Sequence, residues 1–74
     1  MNLERIFAEV FSIPEQTMSD SLNLRAISTW DSMTHMIMIA RVEQAFRIEF
    51  TGDEIADFQT FGDVRKALEQ RGAR

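Results

Sequence analysis

A chain of 74 residues, 45% hydrophobic and 27% charged, has the composition of one compact domain and is too small for a deep substrate cavity. Its formal charge of −4 sets it against the phosphate backbone of nucleic acid, whose binding rests on Lys and Arg. The absence of cysteine removes disulfides, thiolate metal sites and a cysteine nucleophile together.

Met1 leads directly into an amphipathic segment without the basic region, long apolar stretch and cleavage site of a signal peptide. Leu3, Ile6, Phe7, Val10 and Phe11 follow at the i, i+3, i+4, i+7, i+8 spacing of one helical face. Asn2 is placed to cap this first helix and Pro14 to end it. From Ser12 to Asp31, polar residues separate scattered apolar ones with no helical or strand period, which predicts a long loop. A structureless stretch of about twenty residues is unusual in a compact domain unless it has a role. Leu22, Leu24 and Ile27 are placed to pin it to the core.

Helical period returns after Asp31, where His35, Met38, Ile39, Val42, Ala45 and Phe46 gather into a core-facing stripe. Met33, Met36, Ile37 and Ala40 form a second set on a neighbouring face, so the first half of this helix is apolar over more than the usual arc. Such a face is expected to meet partners, and flexible methionines suit a surface that meets several. The run Met36 to Ala40 is far too short to span a bilayer, so a cytoplasmic protein without stable membrane insertion is expected.

Thr51 is placed to cap a short third helix containing Ile55 and Phe58. Thr60, with Asp63 three residues on, caps a fourth whose buried face is Phe61, Val64, Ala67 and Leu68. Gly72 and the closing Ala73-Arg74 read as a frayed end. With no repeat or linker, residues 1–74 are read as one all-α domain. The predicted architecture is a four-helix bundle, three longer helices plus a short third one, with a long loop between the first two.

An enzyme reading finds little support. His35 is the only histidine, and its place on the wheel makes it a packed, satisfied side chain rather than a base or metal ligand. The acidic residues are spread over all four helices among Arg and Lys, the pattern of solvated faces rather than of paired carboxylates. No catalytic or metal-ligating residue is assigned.

Thr29-Trp30-Asp31-Ser32-Met33 stands out, because it lies where the loop becomes the second helix. Asp31 reads as the N-cap, contributing about 1 kcal/mol. Ser32 then sits at a helix N-terminus, where free backbone N–H groups and the helix dipole favour an attached anion. Trp30 is expected to pin the loop to the bundle, its indole N–H finding an acceptor.

Here the sequence resembles the acyl and peptidyl carrier protein family, whose signature is Asp-Ser-Leu at the start of the second helix. Val42-Glu43, Phe46, Ile48-Glu49-Phe50 and Thr60-Phe61-Gly62-Asp63-Val64 extend the resemblance over the whole chain. It implies that Ser32 accepts 4'-phosphopantetheine from coenzyme A as a phosphodiester-linked arm, with Asp31 capping the helix beside it. Acyl or aminoacyl groups would ride on the arm as thioesters. A closer literal match, Asp20-Ser21-Leu22, is set aside because the residues after Ser21 cannot supply the long amphipathic helix that the attachment serine opens.

The resemblance also implies the partners. A phosphopantetheinyl transferase using Mg²⁺ would modify the serine, an acyl-activating ligase or acyltransferase would load the thiol, and downstream biosynthetic enzymes would take the cargo. Met33, Met36, Ile37, Ala40 and Ile55 are the expected docking residues of a monomeric, stand-alone carrier. Trp30 before the Asp-Ser pair points away from primary fatty acid synthesis to a specialised pathway. His35, Arg41 and Arg47 on a helix with few acids imply docking that is more apolar and less salt-sensitive than in fatty acid carriers. Two other functions compete: an unmodified helical adaptor using the Met33 to Ala40 face, and a membrane-surface binder using Met36, Ile37, Arg41 and Arg47.

Overall fold

The computed structural model describes residues 2–73. Four helices carry the fold: α1 (Leu3–Phe11), α2 (Ser32–Phe46), the short α3 (Gly52–Asp57) and α4 (Phe61–Gln70). Among the described residues the only β-type pairing is an isolated bridge between Asn23 and Thr60. The predicted all-α bundle is therefore the observed one.

In α1, Leu3, Ile6, Phe7 and Phe11 are fully buried, while Val10 sits on the flank and is half-buried. The Asn2 side chain accepts the Arg5 N–H at 2.7 Å, the expected cap. The helix ends earlier than Pro14. Ser12 turns into the left-handed region (φ 56°), and both it and Ile13 donate to the Ala8 carbonyl. Pro14 instead opens a 3₁₀ turn at Glu15–Thr17, where its fixed φ is suitable.

The segment between α1 and α2 is less loop-like than its composition predicts. It contains a second 3₁₀ turn, Leu24–Ala26, and its pins hold: Leu24 is fully buried, with Leu22 and Ile27 half-buried against the core. Its backbone is tied to the start of α4. Leu24 N–H donates to the Gln59 carbonyl (2.8 Å), Phe61 N–H to Leu22 (3.0 Å) and Gly62 N–H to Asp20 (3.1 Å). The Asp20 carboxylate also takes two hydrogen bonds from Arg65, each 2.7 Å. Three-residue turns are too short to write a period, and their hydrogen-bond partners lie some forty positions away in the sequence.

The core forms where α1 crosses α2. Met38, Ile39 and Val42 are buried, and Phe7 packs edge-on to Phe61 with ring centroids 4.9 Å apart. The predicted stripe on α2 runs out sooner than expected, for Ala45 is exposed and Phe46 half-buried. A nine-residue α1, about 13 Å long, cannot cover a fifteen-residue α2 of about 22 Å.

Capping explains the remaining boundaries. Thr51 with Glu54 and Thr60 with Asp63 both form reciprocal capping boxes. Phe58 lies just past α3 rather than inside it, buried and edge-on to Phe50 at 5.0 Å. The end of α4 is closed, contrary to the frayed end predicted. Gly72 takes a positive φ (67°), its N–H reaches Glu69, and Ala73 N–H returns to the Leu68 carbonyl at 3.0 Å. Ala73 thereby packs on the core, and Arg74 lies outside the described residues.

Arg71 in this closing turn pairs with Glu54. The guanidinium, helped by the Thr51 N–H, holds the Glu54 carboxyl down to about 2 from an ordinary 4.5. Because the folded value lies below the unfolded one, the pair stabilises the fold fully above the ordinary carboxylate range. That contribution is lost as pH falls towards 2. Both side chains keep about a quarter of their surface in solvent, so screening reduces the effect to about 1 kcal/mol. Chemical denaturation across this window should show the wild type losing more stability than Glu54→Gln; parallel curves would contradict the assignment.

Candidate functional site

The chain enters α2 through an extended Asp31. Its carboxylate accepts the Thr34 N–H at 2.8 Å, and the Thr34 hydroxyl accepts the Asp31 N–H at 2.9 Å. This reciprocal box fixes the first turn. The N–H groups of Ser32 and Met33, first in the helix, have no intrahelical partner and face out of its N-terminus. Sequence reading identified Asp31 as the cap but not Thr34, since a capping box ordinarily carries Glu or Gln at that place.

Ser32 is the first residue of α2 and is exposed. Its hydroxyl has no hydrogen-bond partner among the described residues. The nearest candidate base is already committed: His35, 7% exposed, accepts from the Trp30 indole N–H at Nδ1 (3.3 Å), and its Nε2 meets the Ile55 carbonyl (3.0 Å). Among the described residues no side chain is placed to activate Ser32, whose hydroxyl is exposed.

A groove of about 230 Å³ opens beside it, lined by Arg25, Trp30, Ser32, His35, Met36, Ile55 and Ala56. That is below the roughly 300–1,000 Å³ of pockets that enclose a small molecule, so the groove is a surface feature and not a substrate cavity. A larger cleft of about 360 Å³ between α3 and α4 shares no lining residue with this groove. Arg25 and Ala56 belong to the groove without any sequence signal, because the elements bearing them meet α2 only in the tertiary fold. Trp30 has the predicted pinning place, half-buried, with the Arg25 guanidinium 5.1 Å from its ring centre.

Met33, Met36 and Ile37 are 72%, 51% and 44% exposed, and Ala40 is exposed beside them. A core role for Met33 is thereby excluded. Ile55 is half-buried against the core and reaches the site through its carbonyl and the groove wall. Arg41, counted among the cations of a membrane-binding face, is paired with Glu9 at 2.7 Å. No helix among the described residues is long and apolar enough to cross a membrane, and no group of His, Asp and Glu among them is arranged to hold a metal ion.

The competing triplet Asp20-Ser21-Leu22 is placed quite differently. Ser21 lies in a turn, its hydroxyl 3.3 Å from that of Ser19, while Asp20 and Leu22 fasten the segment to α4. No helix begins there. Ser32 alone of the two combines an exposed, unpartnered hydroxyl with the N-terminus of a long helix, which is where a phosphate ester is electrostatically accommodated.

Against this geometry, the family model for the phosphopantetheine attachment site matches residues 2–68. The chain belongs to the phosphopantetheine attachment family. No curated protein matches it. As a member of that family it is a carrier domain and not a catalyst, with 4'-phosphopantetheine attached covalently. Its partners in general are a phosphopantetheinyl transferase and biosynthetic enzymes.

Proposed function

We propose that residues 1–74 form an acyl carrier domain in which Ser32 bears the 4'-phosphopantetheine. Acyl or aminoacyl intermediates would be held on its thiol for lipid, polyketide, peptide or other specialised biosynthesis in the cytoplasm. The observation that carries this reading is the exposed, unpartnered Ser32 hydroxyl at the capped N-terminus of α2. In the transfer from coenzyme A, Ser32 Oγ gives up its proton and bonds the phosphorus of the phosphopantetheinyl group as the pyrophosphate bond of coenzyme A breaks and adenosine 3',5'-bisphosphate leaves. Both nitrogens of His35 are engaged, so the transferase supplies the base. Once the ester is formed, the outward N–H groups of Ser32 and Met33 and the dipole of α2 stabilise its negative charge, by roughly 0.3–1 kcal/mol at an exposed site. Asp31 acts by holding that helix start in place.

Met33, Met36, Ile37, Ala40 and Ile55 are the docking residues of this reading, for the transferase first and for an acyl-activating ligase or acyltransferase afterwards. Supporting it, apolar side chains that add nothing to the core stand in solvent immediately beside the serine. Met36→Glu and Ile37→Glu should each raise the transferase KM about tenfold without lowering the melting temperature. An unchanged KM in both variants would remove this face from docking.

The reading itself is tested by intact mass after incubation of the folded protein with coenzyme A, Mg²⁺ and a broad-specificity phosphopantetheinyl transferase. One phosphopantetheine addition is expected. An unchanged mass would turn the assignment to an unmodified helical adaptor working through the same apolar face.

A further inference from the structure

His35 is a polar ring among the buried residues of α2, which are otherwise Met38, Ile39 and Val42. Its two contacts determine its chemical form. An indole N–H can only donate and a carbonyl can only accept, so Nδ1 must be bare towards Trp30 and Nε2 must carry the hydrogen towards Ile55. Only the neutral Nε2–H tautomer meets both demands. In that form the ring ties three parts of the chain together: the segment before α2 through Trp30, α2 itself, and α3 through the Ile55 carbonyl. The same residues wall the groove that opens on Ser32.

We propose that His35 is a positioning residue for modification at Ser32: its neutral ring clasps Trp30 and α3 together and shapes the approach to the serine, and protonation opens the clasp. The role rests on the assignment of Ser32 above. An imidazolium donates from both nitrogens, so the new Nδ1–H meets the Trp30 N–H donor to donor, while the Ile55 contact persists. The other charged residue of the groove is Arg25, itself a cation. Of the carboxylates on neighbouring elements, Asp31 is bonded to Thr34, Glu9 to Arg5 and Arg41, and Glu54 to Arg71, while Asp53 and Asp57 line the cleft on the α4 side of α3. Trp30 is the side that loses its hydrogen bond, while its ring keeps its apolar packing on the core and the Arg25 guanidinium at 5.1 Å, and its backbone N–H stays bonded to Ile27.

The clasp is read directly by NMR of the unmodified wild type, following the imidazole nitrogens and the Trp30 indole N–H as pH is lowered from about 8 until the ring takes up its second proton. The Nε2–H tautomer is expected at the upper end, with the indole signal moving at the same midpoint as the imidazole. An Nδ1–H tautomer, or an indole signal indifferent to pH, overturns the clasp, and this measurement needs no variant that might unfold. For the positioning role, the initial rate of phosphopantetheine addition is compared between wild type and His35→Gln with one transferase, whose own pH dependence cancels in the ratio. A ratio of about five at the upper end, falling to about one at the lower, is expected for loss of one hydrogen bond. Modification with a pH-independent ratio overturns the role of His35 alone. Absence of addition to either protein overturns the Ser32 assignment, and the role of His35 with it.

Discussion

Ser32→Ala is expected to abolish phosphopantetheine addition, and Ser21→Ala to leave it complete. The pair is informative because both serines follow an aspartate, and Ser21 has the more usual leucine after it. Local sequence alone would favour Ser21. The fold separates them: Ser32 opens a helix of fifteen residues, whereas the Ser21 segment is fastened to α4 through Asp20 and Leu22 and opens none. The removed Ser32 hydroxyl makes no hydrogen bond among the described residues and Asp31 is retained as the cap. Ser32→Ala should therefore melt within about 0.5 kcal/mol of the wild type, as ordinary surface substitutions do. A folded Ser32→Ala that still gains the full mass would refute the site, and loss of addition in Ser21→Ala would transfer it.

Periodicity made the helical part of this protein readable. Leu3, Ile6, Phe7 and Phe11 are a buried face whose spacing is written within nine residues, and the helix-initiating roles of Asn2, Asp31, Thr51 and Thr60 follow from side chains within reach of their own backbone. The place of Ser32, the proposed attachment serine, is legible for the same reason, since it is defined by the helix it begins. What escaped depends on partners distant in sequence. The first connection is tied down at Asp20, Leu22 and Leu24, the last of these opening its second 3₁₀ turn, by bonds with Gly62, Phe61 and Gln59. The groove residues Arg25 and Ala56 join Ser32 in one groove only once the first connection and α3 have packed beside α2. The two contacts of His35 lie five residues before it and twenty after, and only the fold makes them a single clasp.

Gly62→Ala carries the second large effect, and its sign opposes helix propensity. Inside a helix, alanine is favoured over glycine by about 1 kcal/mol, and Gly62 lies in the first turn of α4. An added Cβ, however, would meet the Asp20 carbonyl oxygen at 2.6 Å, its Cβ at 2.9 Å and its Cα at 3.0 Å. These are backbone-anchored atoms and cannot swing aside. Asp20 is held there by the Gly62 N–H itself and by the two hydrogen bonds from Arg65, so relief requires breaking the tie between the first connection and α4. Overpacking of about 1–3 kcal/mol plus about 1 for the lost hydrogen bond outweighs the propensity gain. The net expectation is about 2 kcal/mol of destabilisation, or a melting temperature lower by about 8–16 °C for a domain of this size. Gly52→Ala is the control, since a Cβ at the first position of α3 meets nothing within 4 Å, and it should be neutral or slightly stabilising. If Gly62→Ala melts with the wild type, the Asp20 segment is free to move, and the connection leading to Trp30 and Ser32 is held by its apolar pins and the backbone bonds at Leu22 and Leu24.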